Sequence, residues 1–224
     1  MLKNLIPLLV VVIAGCSTIK PVQTTTSAAD YLSDIKTELK KEWPKNRTIN
    51  IVFHGHSVPS GYAKTPLVKT FDSYPYQFLE KLKAEYPFAV VNIILTSIGG
   101  ENSESGAARF KRDVLIHKPD VLFIDYALND FKIGLERSDK AWSKMIKMAK
   151  EQNIKVILLT PSPDLRVNLK DDNNNLKLHT EQIIKLAKEN NIGLVNSFDV
   201  FHTLYAKGDS LKNYMAQVNH PNRA

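Results

Sequence analysis

The sequence of 224 residues contains little cysteine, no long apolar run and no dense block of charge. With Cys16 as the single cysteine, an internal disulfide is excluded. The longest apolar run, Leu5 to Gly15, is shorter than the roughly 18 residues of a membrane-spanning helix. The 30 Lys and Arg residues exceed the 23 Asp and Glu residues, but they are scattered along the chain, which argues against nucleic-acid binding. A composition with 43% hydrophobic and 24% charged residues is typical of a globular protein.

The N-terminus resembles a bacterial lipoprotein signal peptide. Lys3 precedes the apolar run, which ends in a sequence similar to a lipobox, Ile13 to Cys16. The resemblance implies cleavage after residues 1–15 and a lipid on the Cys16 thiol, which would anchor the protein in the bacterial cell envelope. In a Gram-negative cell we expect the outer membrane, facing the periplasm. The alternative is a plain secretory signal with an incidental cysteine.

Residues 16–29 are rich in Thr and Ser and are interpreted as a flexible tether. Residues 30–224 then form one domain. Short β-rich runs alternate there with amphipathic stretches, which predicts a parallel sheet covered by helices on both faces. The five predicted strands are Asn50–His54, Val90–Thr96, Val121–Tyr126, Val156–Thr160 and Gly193–Val195. Helices are expected between them, with Ser73 and Ser138 as N-caps.

Polar and glycine residues cluster where ligands bind in such sheets, beyond the carboxyl ends of the strands. Gly55-His56-Ser57 follows the first predicted strand, Ile98–Asn102 the second and Ala127–Asp130 the third, and Asn219–Asn222 lies near the C-terminus. These segments are expected to converge on one edge of the sheet. A serine, a glycine amide, an asparagine and a histidine together indicate acyl transfer.

The four segments resemble the Ser, Gly, Asn and His blocks of the SGNH hydrolases, also called the GDSL esterase and lipase family. The resemblance implies a flavodoxin-like three-layer α/β/α fold. It also implies Ser57 as nucleophile and His220 as base, with the backbone N–H groups of Ser57 and Gly100 and the Asn129 amide as oxyanion donors. No metal or organic cofactor is expected.

This sequence departs from the family pattern at three positions. His56 replaces the Asp of Gly-Asp-Ser, Ala127 replaces a glycine, and Gln217 stands where the family has the Asp that orients the histidine. Three accounts of His220 remain open: a Ser-His pair whose ring donates to Gln217 or to a backbone carbonyl, an acid from elsewhere such as Asp209, or loss of activity.

The resulting hypothesis is a lipid-anchored serine esterase acting on short acyl esters, including acetylated carbohydrate. The alternative is a catalytically silent relative that binds a glycan or an acyl group. A phosphate-binding module is disfavoured because no glycine-rich loop follows the first strand. The segments Val58–Asp72 and Asp164–Asn175 are expected to wall the pocket, and their polar composition favours carbohydrate over long-chain lipid.

Overall fold

The computed structural model describes residues 31–223. The expected signal peptide over residues 1–15, the lipid site Cys16 and the tether over residues 16–29 lie outside the described residues. Within residues 31–223, no helix has both the length and the apolar character needed to cross a membrane.

Five parallel strands form the central sheet, in the spatial order β2-β1-β3-β4-β5. They are β1 (Thr48–Gly55), β2 (Val90–Leu95), β3 (Val121–Asp125), β4 (Lys155–Leu159) and β5 (Gly193–Val195). The predicted strands and the α/β fold class are confirmed. β3 is buried along its whole length, which explains why its sequence is apolar without alternation.

Helices cover both faces of this sheet. In chain order they are α1 (Ser33–Leu39), α2 (Ser57–Ser60), α3 (Tyr74–Glu85), α4 (Ser103–Asp113), α5 (Gly134–Lys150), α6 (Asn175–Asn190) and α7 (Ser197–Ala206). Phe110, Trp142 and Ile183 bring α4, α5 and α6 into the core on one face. The other face is covered by α1 through Ile35 and by α3 through partly buried Phe78. An antiparallel hairpin of β6 (Met215–Gln217) and β7 (His220–Pro221) follows α7.

One of the two predicted helix starts differs in the structure. Ser138 is not an N-cap, because α5 begins at Gly134 and Ser138 is buried inside the helix. Its hydroxyl donates to the Leu135 carbonyl and lies 2.7 Å from Gln182 Oε1 on α6. Ser73 is the N-cap residue of α3, as predicted, but its hydroxyl donates to the Thr70 carbonyl and makes no capping bond to the helix.

The strand order reverses between β1 and β3, which places a crevice at their carboxyl ends. Gly55 pairs with Asp125 in the register of these two strands. The loops after β1 and β3, which carry two of the four candidate segments, therefore leave the sheet side by side.

Candidate active site

Ser57 follows β1 and begins the single helical turn α2. The preceding Gly55 lies so close to β3 that a Cβ at this position would be 2.5 Å from the Asp125 carbonyl oxygen. A side chain would force the strand ends apart, so the glycine of Gly55-His56-Ser57 is needed for this close approach. Ser57 is thereby fixed at the edge of the sheet, where it is 8% exposed.

His220 lies against Ser57, although 163 positions separate them in the chain. Its Nε2 is 2.9 Å from Ser57 Oγ, and its Nδ1 is 3.0 Å from the Ala63 carbonyl oxygen. Because a carbonyl oxygen only accepts, the ring hydrogen belongs on Nδ1, which leaves Nε2 free to accept the Ser57 hydroxyl. This is the tautomer that a general base for a serine requires.

The side chains of Gln217 and Asp209 do not orient His220. Gln217 Oε1 accepts from the Thr65 N–H at 2.9 Å, and Asp209 Oδ2 accepts from the Tyr214 hydroxyl at 3.3 Å. Of the acceptors that the sequence left open for the His220 ring, the one found in the structure is a backbone carbonyl, that of Ala63. No side-chain pattern marks Ala63 for this position, so sequence reasoning had no signal with which to find it.

Gln217 instead contacts the turn that carries this carbonyl. Besides accepting from the Thr65 N–H, it donates through Nε2 to Thr65 Oγ1 at 3.2 Å. The turn is closed by backbone hydrogen bonds from Ala63 N–H to the Leu67 carbonyl and from Leu67 N–H to the Lys64 carbonyl. Gln217 thus contacts the turn of Ala63 through Thr65 and makes no hydrogen bond to the His220 ring.

The two other candidate donors lie on the loops after β2 and β3. Gly100 occupies a turn closed by the Glu101 N–H and the Ile98 carbonyl at 3.3 Å, with a φ of +80° that favours glycine. Asn129 Nδ2 donates to the Glu101 carbonyl at 2.8 Å, which ties the two loops together. The amide carries two hydrogens, so this bond orients the group and leaves a second donor for a ligand.

The residue after Asn129 has a structural position. Asp130 Oδ1 accepts from the Ser103 N–H at 2.8 Å, and Oδ2 accepts from Trp142 Nε1 at 2.7 Å. Burial raises the pKa of this carboxyl, and the hydrogen bonds from Ser103 and Trp142 act in the opposite direction. Asp130 therefore joins the end of β3 to α4 and α5.

A second, largely buried network connects the loop of Gly100 to α4 and to the end of β3. The Glu101 carboxylate accepts from Arg109 Nε at 2.9 Å, and Arg109 Nη2 donates to the Tyr126 hydroxyl at 3.1 Å. Tyr126 is in turn 3.2 Å from His54 Nε2. His54 is fully buried in this network, and among residues 31–223 no group of three His, Cys, Asp or Glu side chains is arranged to hold a metal ion.

Burial also acts on the titration of the candidate base. It lowers the pKa of His220 below its ordinary value, the nearby His56 acts in the same direction, and the hydrogen bond to Ala63 opposes both. A lower pKa keeps the ring neutral at neutral pH, which is the form that accepts a proton.

Two cavities are lined by chain neighbours of the candidate residues, although Ser57, Gly100, Asn129 and His220 are in neither lining. One of about 380 Å³ lies beside the hairpin of β6 and β7, and Val58, Ala63, Asp72 and Pro221 are part of its lining. The other, of about 230 Å³, lies between the loop after β3 and the segment Asp164–Asn175. Each of the two segments expected to wall a pocket lines one of these cavities.

The strand order and the Ser57–His220 pair at the carboxyl edge of the sheet define the class, a serine hydrolase of the three-layer α/β/α type. Residues 53–224 match the sequence model of the GDSL-like Lipase/Acylhydrolase family. The chain therefore belongs to this family, as its four sequence blocks indicate. No curated protein sequence gives a match.

Solved structures with the same fold include several esterases. A two-domain esterase, CEX, active on acetylated mannans, superposes with a TM-score of 0.70 at 21% identity, over 86% of this chain and 48% of that one. The chain thus spans about half the length of that relative. The acetylxylan esterase Axe2 from Geobacillus stearothermophilus gives a TM-score of 0.67 at 19% identity, over 78% and 87% of the two chains. The psychrotrophic esterase EstA from Pseudoalteromonas sp. gives 0.59 at 19% identity, over 78% and 88%.

Proposed function

We propose that the protein is a serine ester hydrolase that removes short acyl groups, acetyl in particular, from a carbohydrate or another small ester. The observation that carries this proposal is the 2.9 Å contact between Ser57 Oγ and His220 Nε2, with the opposite ring nitrogen already bonded to the Ala63 carbonyl. This arrangement prepares a serine hydroxyl for deprotonation without any movement of the ring.

In the proposed reaction, His220 Nε2 takes the hydroxyl proton as Ser57 Oγ attacks the ester carbonyl carbon. The Ser57 and Gly100 N–H groups and the Asn129 amide stabilise the negative oxygen of the tetrahedral intermediate. Collapse breaks the bond to the alcohol, which leaves with the proton from His220, and Ser57 remains acylated. Water, deprotonated by His220, then releases the acid and restores the serine.

The proposed imidazolium differs from that of a complete triad, because a carbonyl dipole and not a carboxylate accepts from Nδ1. A dipole stabilises the positive ring less than a full charge does. We therefore expect a slower enzyme than one with an acid in this place, with the oxyanion donors supplying much of the rate enhancement.

The preference for an acylated carbohydrate rests on two supports. The two segments beside the cavities carry polar and charged residues, with Lys69 and Asp72 at the larger cavity and Asp164 and Arg166 at the smaller one, while the greater part of each lining is apolar and suits a short acyl group. Two of the structures of similar fold belong to esterases whose names specify acetylated mannans and acetylxylan.

Hydrolysis of a matched substrate panel tests the proposal. We expect acetate release from acetylated xylo- or manno-oligosaccharides and turnover of 4-nitrophenyl acetate, with much lower rates on 4-nitrophenyl octanoate. Ser57→Ala should abolish all of these activities. If the wild type binds such glycans but releases no acetate and turns over no ester, the catalytically silent binding protein is the correct account.

We also propose that Cys16 carries a lipid that anchors the protein in the cell envelope. The support is the sequence Ile13 to Cys16 after an apolar run. Anchoring would place the candidate site among envelope glycans, which agrees with a carbohydrate ester as substrate.

A further inference from the structure

A second histidine, besides His220, lies against Ser57. The His56 side chain is fully buried, with Nδ1 3.5 Å from Ser57 Oγ and 3.2 Å from the Val58 backbone nitrogen. Its Nε2 is 3.3 Å from Asp125 Oδ1 at the end of β3. The nucleophile is therefore flanked by two imidazoles, of which His220 is the closer acceptor.

The contact with Val58 shows which tautomer of His56 is present. A backbone N–H only donates, so Nδ1 must accept, and the hydrogen of the neutral ring belongs on Nε2. There it faces the Asp125 carboxylate. The alignment falls short of hydrogen-bond geometry, so the attraction between the N–H dipole and the carboxylate is mainly electrostatic.

Asp125 is itself held in place from two elements. Its Oδ2 accepts from the Tyr74 hydroxyl of α3 at 3.0 Å, and its carbonyl accepts from the His56 N–H at 3.2 Å. Burial raises the pKa of Tyr74 well above its ordinary value, so this hydroxyl stays protonated and remains a donor. Tyr74, which is half-buried, forms with the buried Asp125 and His56 a chain that ends at the turn of Ser57.

We propose that Asp125 and His56 are positioning residues for Ser57: the carboxylate fixes the His56 ring, and the ring fixes the first turn of α2 through the Val58 N–H. A short acceptor at position 56 would cap this turn directly, as Asp or Asn does at many helix starts. An imidazole does so only in the Nε2–H tautomer, which Asp125 selects. This inference rests on the proposed esterase function of Ser57.

A double-mutant cycle tests the inference. His56→Asn keeps a side-chain oxygen for the Val58 N–H but is too short to reach Asp125. We expect Asp125→Asn to lower kcat about tenfold with little change in KM, and to have an effect below about twofold when His56→Asn is already present. The rate of fluorophosphonate labelling at Ser57 should fall in parallel with kcat.

Asp120→Asn is the matched control, because Asp120 accepts from the Asn50 N–H at the opposite end of the sheet. Its effect should be the same with and without His56→Asn. If Asp125→Asn does not fold, as judged by thermal melting, Tyr74→Phe replaces it. That variant removes a single hydroxyl, and we expect a drop of about threefold that vanishes in the His56→Asn background.

Two outcomes contradict the inference in different ways. If the wild type is active and the Asp125 and His56 effects multiply independently, the positioning chain is overturned while the proposed function stands. If the wild type shows neither turnover nor labelling, the proposed function fails and the inference fails with it.

Discussion

At the residue scale, the defining feature of the site is the acceptor of the His220 ring. The Ala63 carbonyl occupies the position that a carboxylate has in a complete triad, and Gln217 fixes the turn around it through Thr65. The roles proposed for Ser57, Gly100, Asn129 and His220 come from the resemblance of four sequence blocks to the family. The role of Ala63 does not, because a backbone carbonyl is present at every position and only the fold selects one of them.

Asn129 provides a direct test of the oxyanion donors. Asn129→Ala should lower kcat by about 10²–10³ with little change in KM, since the donor acts on charge that develops during the reaction. Asn129→Asp should be at least as harmful, because an ionised carboxylate only accepts and would repel the oxyanion. Near-normal turnover of either variant, measured with 4-nitrophenyl acetate, would exclude Asn129 as a donor.

Variants at Gln217 distinguish direct orientation of the His220 ring from support of the turn that carries the Ala63 carbonyl. Gln217→Ala should lower kcat about fivefold, because Thr65 loses both of its hydrogen bonds to the Gln217 side chain. Gln217→Glu should stay within about twofold of the wild type, since a carboxylate still accepts from the Thr65 N–H and hydroxyl. A large gain of activity in Gln217→Glu would instead indicate that this side chain reaches the His220 ring.

At the element scale, the loops of the site are joined by buried networks between neighbouring elements. His54 on β1 contacts Thr96 after β2, Gly106 on α4 and Tyr126 after β3. Burial is the main cause that lowers the pKa of His54 from 6.5 to about 4. This network thus depends on an imidazole that stays neutral in the folded protein.

The titration of His54 predicts a loss of stability in acid. Between pH 6.5 and about 4 the unfolded chain binds a proton on this residue that the folded protein does not, so stability falls as the pH falls. The loss from this group should approach about 3 kcal/mol by pH 4 and should be absent above pH 7. Urea unfolding of the wild type and of His54→Gln at several pH values measures it. Equal pH slopes for the two proteins would contradict the prediction.

The strands were predictable and the helix starts were less so, for a physical reason. Strands covered on both faces leave continuous apolar runs in the sequence, as in β3. Ser138 has the residue type of an N-cap, but its partner Gln182 lies 44 positions away and allows the hydroxyl to be buried inside α5. Local patterns carry no information on such a partner.

At the scale of the whole molecule, the proposed anchor and the proposed site give one prediction. Cys16→Ser removes the thiol that would receive the lipid, so the variant should move from the membrane fraction to the soluble fraction or remain unprocessed. Its activity on 4-nitrophenyl acetate should be unchanged, because the proposed catalytic groups all lie between Ser57 and His220. Wild-type protein that is freely soluble, with an unmodified Cys16 by mass spectrometry, would contradict the anchor.

The central claim is that Ser57 is a nucleophile activated by His220, and covalent labelling with a fluorophosphonate probe tests it most directly. Mass spectrometry of the digested wild-type protein should place one adduct on Ser57. Ser57→Ala should carry no adduct, and His220→Ala should label at least about 100-fold more slowly, because the hydroxyl loses its base. A wild type that stays unlabelled, or an adduct on another residue, would contradict the account.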